Sequence, residues 1–220
     1  VPAVKICGLV RTEDAVEAAR LGADHLGAIF AGGPRLVTAA AARANFAAAR
    51  AAAGRPPLAV GVMGTQPADE IARLAEEAGL DAVQLHADPD AEQVARVRAS
   101  YLGRVWAVLR IAGTHVPAHA PELFDAADAV VLDARVGGPT LGGNGVALDW
   151  AGLADALSRV RGRAPLVLAG GLRADNVAEA VRALRPDVVD VSSGVESTPG
   201  VKDPARVAAF LAAARSATCS

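Results

Sequence analysis

Eight short apolar runs, at residues 3–7, 25–30, 58–63, 82–86, 105–110, 129–133, 166–169 and 188–192, alternate with helical stretches almost from end to end of the chain. Their near-continuous apolar character, rather than strict alternation, marks strands buried on both faces of a parallel sheet. Helix-forming stretches at 12–21, 38–53, 67–78, 90–100, 149–160, 174–184 and 204–214 supply crossovers between them. The expected fold is α/β, a single (β/α)8 TIM barrel over residues 1–215 with a flexible tail at 216–220. In that architecture chemistry gathers at the C-terminal ends of the strands. The positions to inspect are therefore Cys7, Phe30, Met63, His86, Arg110, Asp133, Gly170 and Ser192. Thr12 and Thr38 read as helix N-caps, Pro67 and Pro204 as first-turn residues, and Gly22 and Gly79 as left-handed helix terminators. Segments 21–24, 78–81 and 185–187 echo one another weakly where a helix hands over to a strand.

At 220 residues one barrel uses nearly the whole chain, and 52% hydrophobic with only 3% aromatic residues implies a core of Ala, Val, Leu and Ile. A net charge of −2 with no basic cluster excludes nucleic acid as an expected partner. Lys5 and Lys202 are the only lysines beside 20 arginines, a balance that fits GC-rich codon bias. Two cysteines, Cys7 and Cys219, make no disulfide framework, so a reduced, cytoplasmic location is expected. The first residues lack a charged segment leading into an apolar one, and no apolar run approaches the ~20 residues of a membrane span.

Two connections are long and rich in glycine: 31–37, and 134–148 with Gly142 and Gly143. Both follow strands, so both should overhang the active face. Gly170-Gly171 after the seventh run and Ser192-Ser193-Gly194 after the eighth offer backbone N–H groups to an anion, pointing to a phosphorylated sugar. Cys7 is either a small buried hydrophobe or, with a modestly depressed pKa, a general base. Asp133 ends an apolar strand, where burial would raise its pKa and suit a general acid. Arg35 could fork onto a carboxylate, or stand as a solvated charge. His86 could touch substrate or serve the barrel rim, and Asp190 could be a structural acceptor or a partner behind the site. Lys5 shares the parity of Cys7 but lies deeper. His115 and His119 are four apart, but Pro117 and Pro121 argue against a helical metal pair, so no metal site is expected.

These motifs resemble the phosphoribosylanthranilate isomerase family of tryptophan biosynthesis. The matching strings are Val4-Lys5-Ile6-Cys7-Gly8-Leu9, Gly22-Ala23-Asp24, Gly33-Pro34-Arg35, Val60-Gly61-Val62 and Val83-Gln84-Leu85-His86. They continue through Leu132-Asp133, Gly142-Gly143-Asn144-Gly145, Asp149-Trp150, Ala169-Gly170-Gly171-Leu172 and Asn176-Val177, and end in Val189-Asp190-Val191-Ser192-Ser193-Gly194-Val195-Glu196, Pro199-Gly200 and Lys202-Asp203. The resemblance implies an Amadori rearrangement with Asp133 as acid and Cys7 as base. It also implies Arg35 on the anthranilate carboxylate, backbone N–H groups of Gly171, Ser193 and Gly194 on the phosphate, and no cofactor. His86, Gly142, Gly143 and Asp190 are expected to line the substrate, with Gly170 and Ser192 completing the phosphate loops.

The sequence departs from the family pattern at Gly33, usually Ser, and at Leu36 and Met63, often aromatic. It departs again at Ala87, usually Gly, and at Asn144, usually Thr or Ser. Those positions motivate a second expectation, a paralogue acting on a substituted anthranilate or another aminoaldose phosphate. A third is a non-catalytic phosphosugar-binding partner of neighbouring tryptophan-pathway enzymes, against which the presence of both Cys7 and Asp133 argues. Closure of the 134–148 loop over substrate is expected from its glycine content.

Overall fold

The computed structural model describes residues 1–134 and 149–217. Eight parallel strands close into one barrel in chain order. They are β1 (Ala3–Ile6), β2 (His25–Ile29), β3 (Leu58–Met63), β4 (Ala82–Leu85), β5 (Arg104–Ile111), β6 (Ala129–Ala134), β7 (Leu166–Leu168) and β8 (Val188–Val191), with β8 pairing back onto β1. The helices are α1 (Thr12–Arg20), α2 (Ala39–Ala52), α3 (Ala68–Ala78), α4 (Ala91–Ser100), α5 (Ala120–Ala126), α6 (Trp150–Val160), α7 (Val177–Leu184) and α8 (Pro204–Ser216). A 3-10 turn, Ser193–Val195, and an antiparallel pair, β9 (Glu196–Thr198) and β10 (Val201–Lys202), stand between β8 and α8.

Cys7, Phe30, His86, Ala169 and Ser192 fall one residue beyond their strands, while Arg110 and Asp133 lie one residue inside theirs. The sequence periodicity did not delimit α5, a seven-residue helix with Pro121 in its first turn. Thr38 caps α2 by accepting the Ala41 N–H. Thr12 does not cap α1: its hydroxyl donates to Asn45 Oδ1 at 2.7 Å and ties α1 to α2. Pro67 is the N-cap of α3 rather than a first-turn residue, whereas Pro204 opens α8. The last helix runs to Ser216 and Ala217 is buried behind it, so the first two residues assigned to the tail belong to the packed structure.

Strand alternation sorts side chains into two layers. Ile6, Leu26, Met63 and Leu109 point outward and pack with Phe46, Phe124 and Phe210 of the helices. Val60, Trp106, Val108, Val131 and Val167 fill the barrel. The axial interior is not wholly apolar, since Lys5, His25, Gln84 and Asp190 are buried too.

The weak sequence echo has a structural cause at the N-terminal face. Asp24, Asp81, Asp128 and Asp187 each precede an even-numbered strand. Their Oδ2 atoms accept the N–H of Val4, Ala59, Val105 and Leu166 on the preceding odd-numbered strands. In return each aspartate N–H donates to the carbonyl of the same strand residue. Arginines close each unit: Arg55 on Asp24, Arg50 on Asp81, Arg98 on Asp128 and Arg161 on Asp187. One reciprocal clasp thus joins the strands of each β-α-β pair, on the face where a barrel carries stability rather than chemistry.

Candidate active site

At the opposite rim lies a cavity of about 300 Å³, lined by residues from the ends of seven strands and the loops that follow. Cys7, His86, Asp133, Gly170, Gly171, Asp190, Ser192, Ser193, Gly194 and Arg35 all border it. Phe30 and Met63 do not: both face the helix layer. Leu36 is half-exposed, and Val62 rather than Met63 presents the third strand to the cavity. Two of the departures that suggested an altered aryl pocket therefore lie outside it. Gly142, Gly143 and Asn144, with the loop whose closure was expected, lie outside the described residues.

Beneath Cys7 is a buried polar cluster. Lys5 Nζ donates to Gln84 Oε1 at 2.9 Å and to Asp190 Oδ2 at 2.8 Å, and Lys5 has no solvent exposure. Desolvation, the largest single influence, opposes its charge, but Asp190 and Cys7 together outweigh it and raise the Lys5 pKa. The thiol departs from expectation: its pKa is raised, not depressed. Burial pushes Cys7 up, Lys5 and Lys202 pull it down, and the negative charge of Asp190 adds to the rise. Gly27 on β2 makes room for the thiol, since a Cβ there would stand 2.7 Å from Cys7 Sγ.

Across the rim, Asp133 Oδ2 is 3.8 Å from Arg110 Nη1 and 3.9 Å from His86 Nε2. Arg110 is fixed by Asp88 at 2.9 Å and by donating to the His86 carbonyl at 2.8 Å. Burial, reinforced by Arg110, lowers the His86 pKa to about 4, so the imidazole is neutral at pH 7. Asp190 Oδ1, Ser192 Oγ and His86 Nδ1 are buried on cavity-lining residues and find no hydrogen-bond partner among the described residues. Unpaired buried polar atoms are costly, and three of them bordering one cavity indicate a ligand-binding surface.

The two loops expected to hold phosphate meet on one side of the cavity. Gly170 and Gly171 have φ of 85° and 65°, left-handed values that favour glycine. Asn176 fixes the turn, its Nδ2 donating to the Gly171 carbonyl at 3.0 Å and its Oδ1 accepting the Arg173 N–H at 2.8 Å. Gly194 packs so closely that a Cβ would stand 2.0 Å from the Leu172 carbonyl, which locks the two loops together. Arg35 is not the solvated charge that one sequence reading allowed. Its Nε and Nη2 donate to both carboxylate oxygens of Glu196, a residue the periodicity gave no reason to single out.

Fold and site define an eight-stranded (β/α)8 barrel whose C-terminal rim combines an anion cradle with a thiol, a carboxyl and an imidazole around one cavity. A sequence model of the family described as N-(5'-phosphoribosyl)anthranilate (PRA) isomerase matches residues 4–213, and the chain belongs to that family. An N-(5'-phosphoribosyl)anthranilate isomerase of Cereibacter sphaeroides (strain ATCC 17029) is 41% identical over 220 residues, covering 96% of this chain and 98% of that one. The crystal structure of phosphoribosyl anthranilate isomerase from Thermus thermophilus superposes with a TM-score of 0.81 at 37% identity, covering 97% of this chain and 98% of that one. A phosphoribosyl anthranilate isomerase in complex with reduced 1-(o-carboxyphenylamino)-1-deoxyribulose 5-phosphate superposes with a TM-score of 0.81 at 28% identity, covering 98% and 100%.

Proposed function

We propose that the chain converts N-(5'-phosphoribosyl)anthranilate to 1-(o-carboxyphenylamino)-1-deoxyribulose 5-phosphate, with Asp133 as general acid and Cys7 as general base. The observation that carries this assignment is the placement of Asp133 on β6 and Cys7 after β1, facing one cavity beside the glycine loops. Phosphate rests on backbone N–H groups of Gly171, Ser193 and Gly194, where no side-chain cation is needed. Asp133 donates its proton to the furanose ring oxygen as the C1'–O bond breaks and the aryl nitrogen lone pair forms the C1'=N bond. The Cys7 thiolate then removes the C2' proton. The C2'–H electrons form C1'=C2', and those of C1'=N return to nitrogen, giving the enolamine. Loss of the C2' hydroxyl proton and protonation at C1' complete the ketone.

Because burial holds Cys7 as the thiol at rest, turnover rises with pH as the thiolate forms. Lys5 and Lys202 oppose the rise in the thiol pKa by favouring the anion. Arg35 takes the aryl carboxylate through the guanidinium nitrogen that Glu196 leaves free. The same reading puts the chain in the cytoplasm, beside other enzymes of tryptophan formation. Loss of substrate fluorescence tests the assignment: fast in the native chain, and slower by about 10²–10⁴ in Cys7→Ala. A well-folded native chain without turnover on this substrate, but active on a ring-substituted one, would replace it.

A further inference from the structure

Arg35 reaches the cavity across Gly8, whose φ of +73° and missing side chain open the passage. A Cβ there would stand 2.6 Å from Arg35 Cδ and 2.8 Å from Ser192 Oγ. Arg35 then forks onto Glu196, with Nε on Oε1 at 2.8 Å and Nη2 on Oε2 at 2.7 Å. Lys202 Nζ donates to the same Oε1 at 2.8 Å and to the Ser192 carbonyl at 3.1 Å. Arg206 Nη1 donates to the Glu196 carbonyl, and the Lys202 N–H to Asp14 Oδ2 at 3.0 Å. Glu196 and Lys202 are only 6% and 4% exposed. Arg35 supplies the β2–α2 loop, Glu196 and Lys202 the β9–β10 hairpin, and Ser192 the phosphate loop, so one carboxylate ties three parts of the rim together. The cluster carries two cations on one anion, leaving a net positive charge at the cavity. Lys202 is one of only two lysines against 20 arginines, and both lysines are buried beside this cavity. A compact ammonium fits there where a planar guanidinium would need more room and more partners.

We propose that Glu196, anchored by Lys202, is a positioning residue that holds the Arg35 guanidinium side-on and so presents its Nη1 end to the carboxylate of the aryl substrate. The inference rests on the function proposed above, and Glu196 itself touches no substrate. The contrary idea, that Glu196 occupies Arg35 until substrate displaces it, fits the geometry poorly. Glu196 is held by three basic side chains, and pulling Arg35 away would strip a buried carboxylate of its bidentate partner.

The test compares two ligands on each protein: reduced 1-(o-carboxyphenylamino)-1-deoxyribulose 5-phosphate, and the phenylamino compound that lacks the carboxylate. Taking the ratio of the two dissociation constants on one preparation cancels any loss of folded protein. The native chain prefers the carboxylated ligand, and Glu196→Gln shrinks that preference by about tenfold to a hundredfold, the worth of one charge-assisted hydrogen bond. Arg35→Met shrinks it similarly, the double variant goes no further, and Glu196→Asp recovers part of it. In turnover, Glu196→Gln raises KM more than it lowers kcat. Equal weakening of both ligands, or additive losses in the double variant, would make Glu196 scaffold only and overturn the proposal. Tighter binding of the carboxylated ligand in Glu196→Gln would also overturn it, by making Glu196 a competitor. Absence of any carboxylate preference in a native chain that still turns over substrate would remove the role of Arg35 and the proposal with it, while leaving the isomerase reading in place.

Discussion

Cys7 emerges from β1 into a field set by Lys5, Asp190, Lys202 and Arg35. Burial dominates, so its alkylation by iodoacetamide, in a Cys219→Ser background, should show a midpoint above that of an ordinary thiol. Asp190→Asn removes a charge that raises the pKa and should lower that midpoint; Lys5→Met should raise it. Shifts of the same sign in both variants would mean that the charges do not set the thiol. At this scale the sequence was informative about identity and silent about environment. The rim positions of Cys7 and Asp133 were legible because each ends an apolar run. The direction of the Cys7 shift was not, because the burial that dominates it, and the Asp190 charge that adds to it, arise only when the barrel closes. Glu196 was illegible for the same reason: its partner Arg35 is 161 positions away.

Among the elements, the two barrel faces make separable predictions. Asp187 Oδ2 accepts from Leu166 N–H at 2.8 Å and from Arg161 Nη2 at 2.6 Å, far from the cavity. Asp187→Ala should cost about 1–3 kcal/mol in denaturant unfolding, with turnover per folded molecule unchanged. A loss of turnover at unchanged stability would contradict the division of faces. The echo of residues 21–24, 78–81 and 185–187 was readable as repeat punctuation, but Asp128 lacked the glycine or proline that marked the others. Its equivalence appears only in the strand pairing. Likewise α5 has seven residues and a proline, too short for helical periodicity to declare itself.

For the whole molecule, acid is the sensitive direction. His25 and His86 are both lowered from 6.5 to about 4, chiefly by burial, helped by Lys5 at His25 and Arg110 at His86. The unfolded chain therefore binds protons between pH 6.5 and 4 that the folded chain refuses. The stability these neutral imidazoles allow is complete above pH 6.5 and is lost as pH falls toward 4, by roughly 3 kcal/mol for each histidine. Glu196, which its cationic partners hold below the usual carboxylate range against its burial, extends the loss at lower pH. Unfolding free energy measured across that window should fall with a slope near two protons, and His25→Gln should remove about one of them. An unchanged slope would mean that His25 is already protonated in the fold.

The central claim, acid–base chemistry across one barrel rim, is tested most directly by Asp133→Asn. Turnover of N-(5'-phosphoribosyl)anthranilate should fall at least about a hundredfold, while the reduced product analogue binds within a few-fold of its native affinity. Near-native turnover in that variant would show that the proton reaches the ring oxygen from elsewhere and would contradict the account.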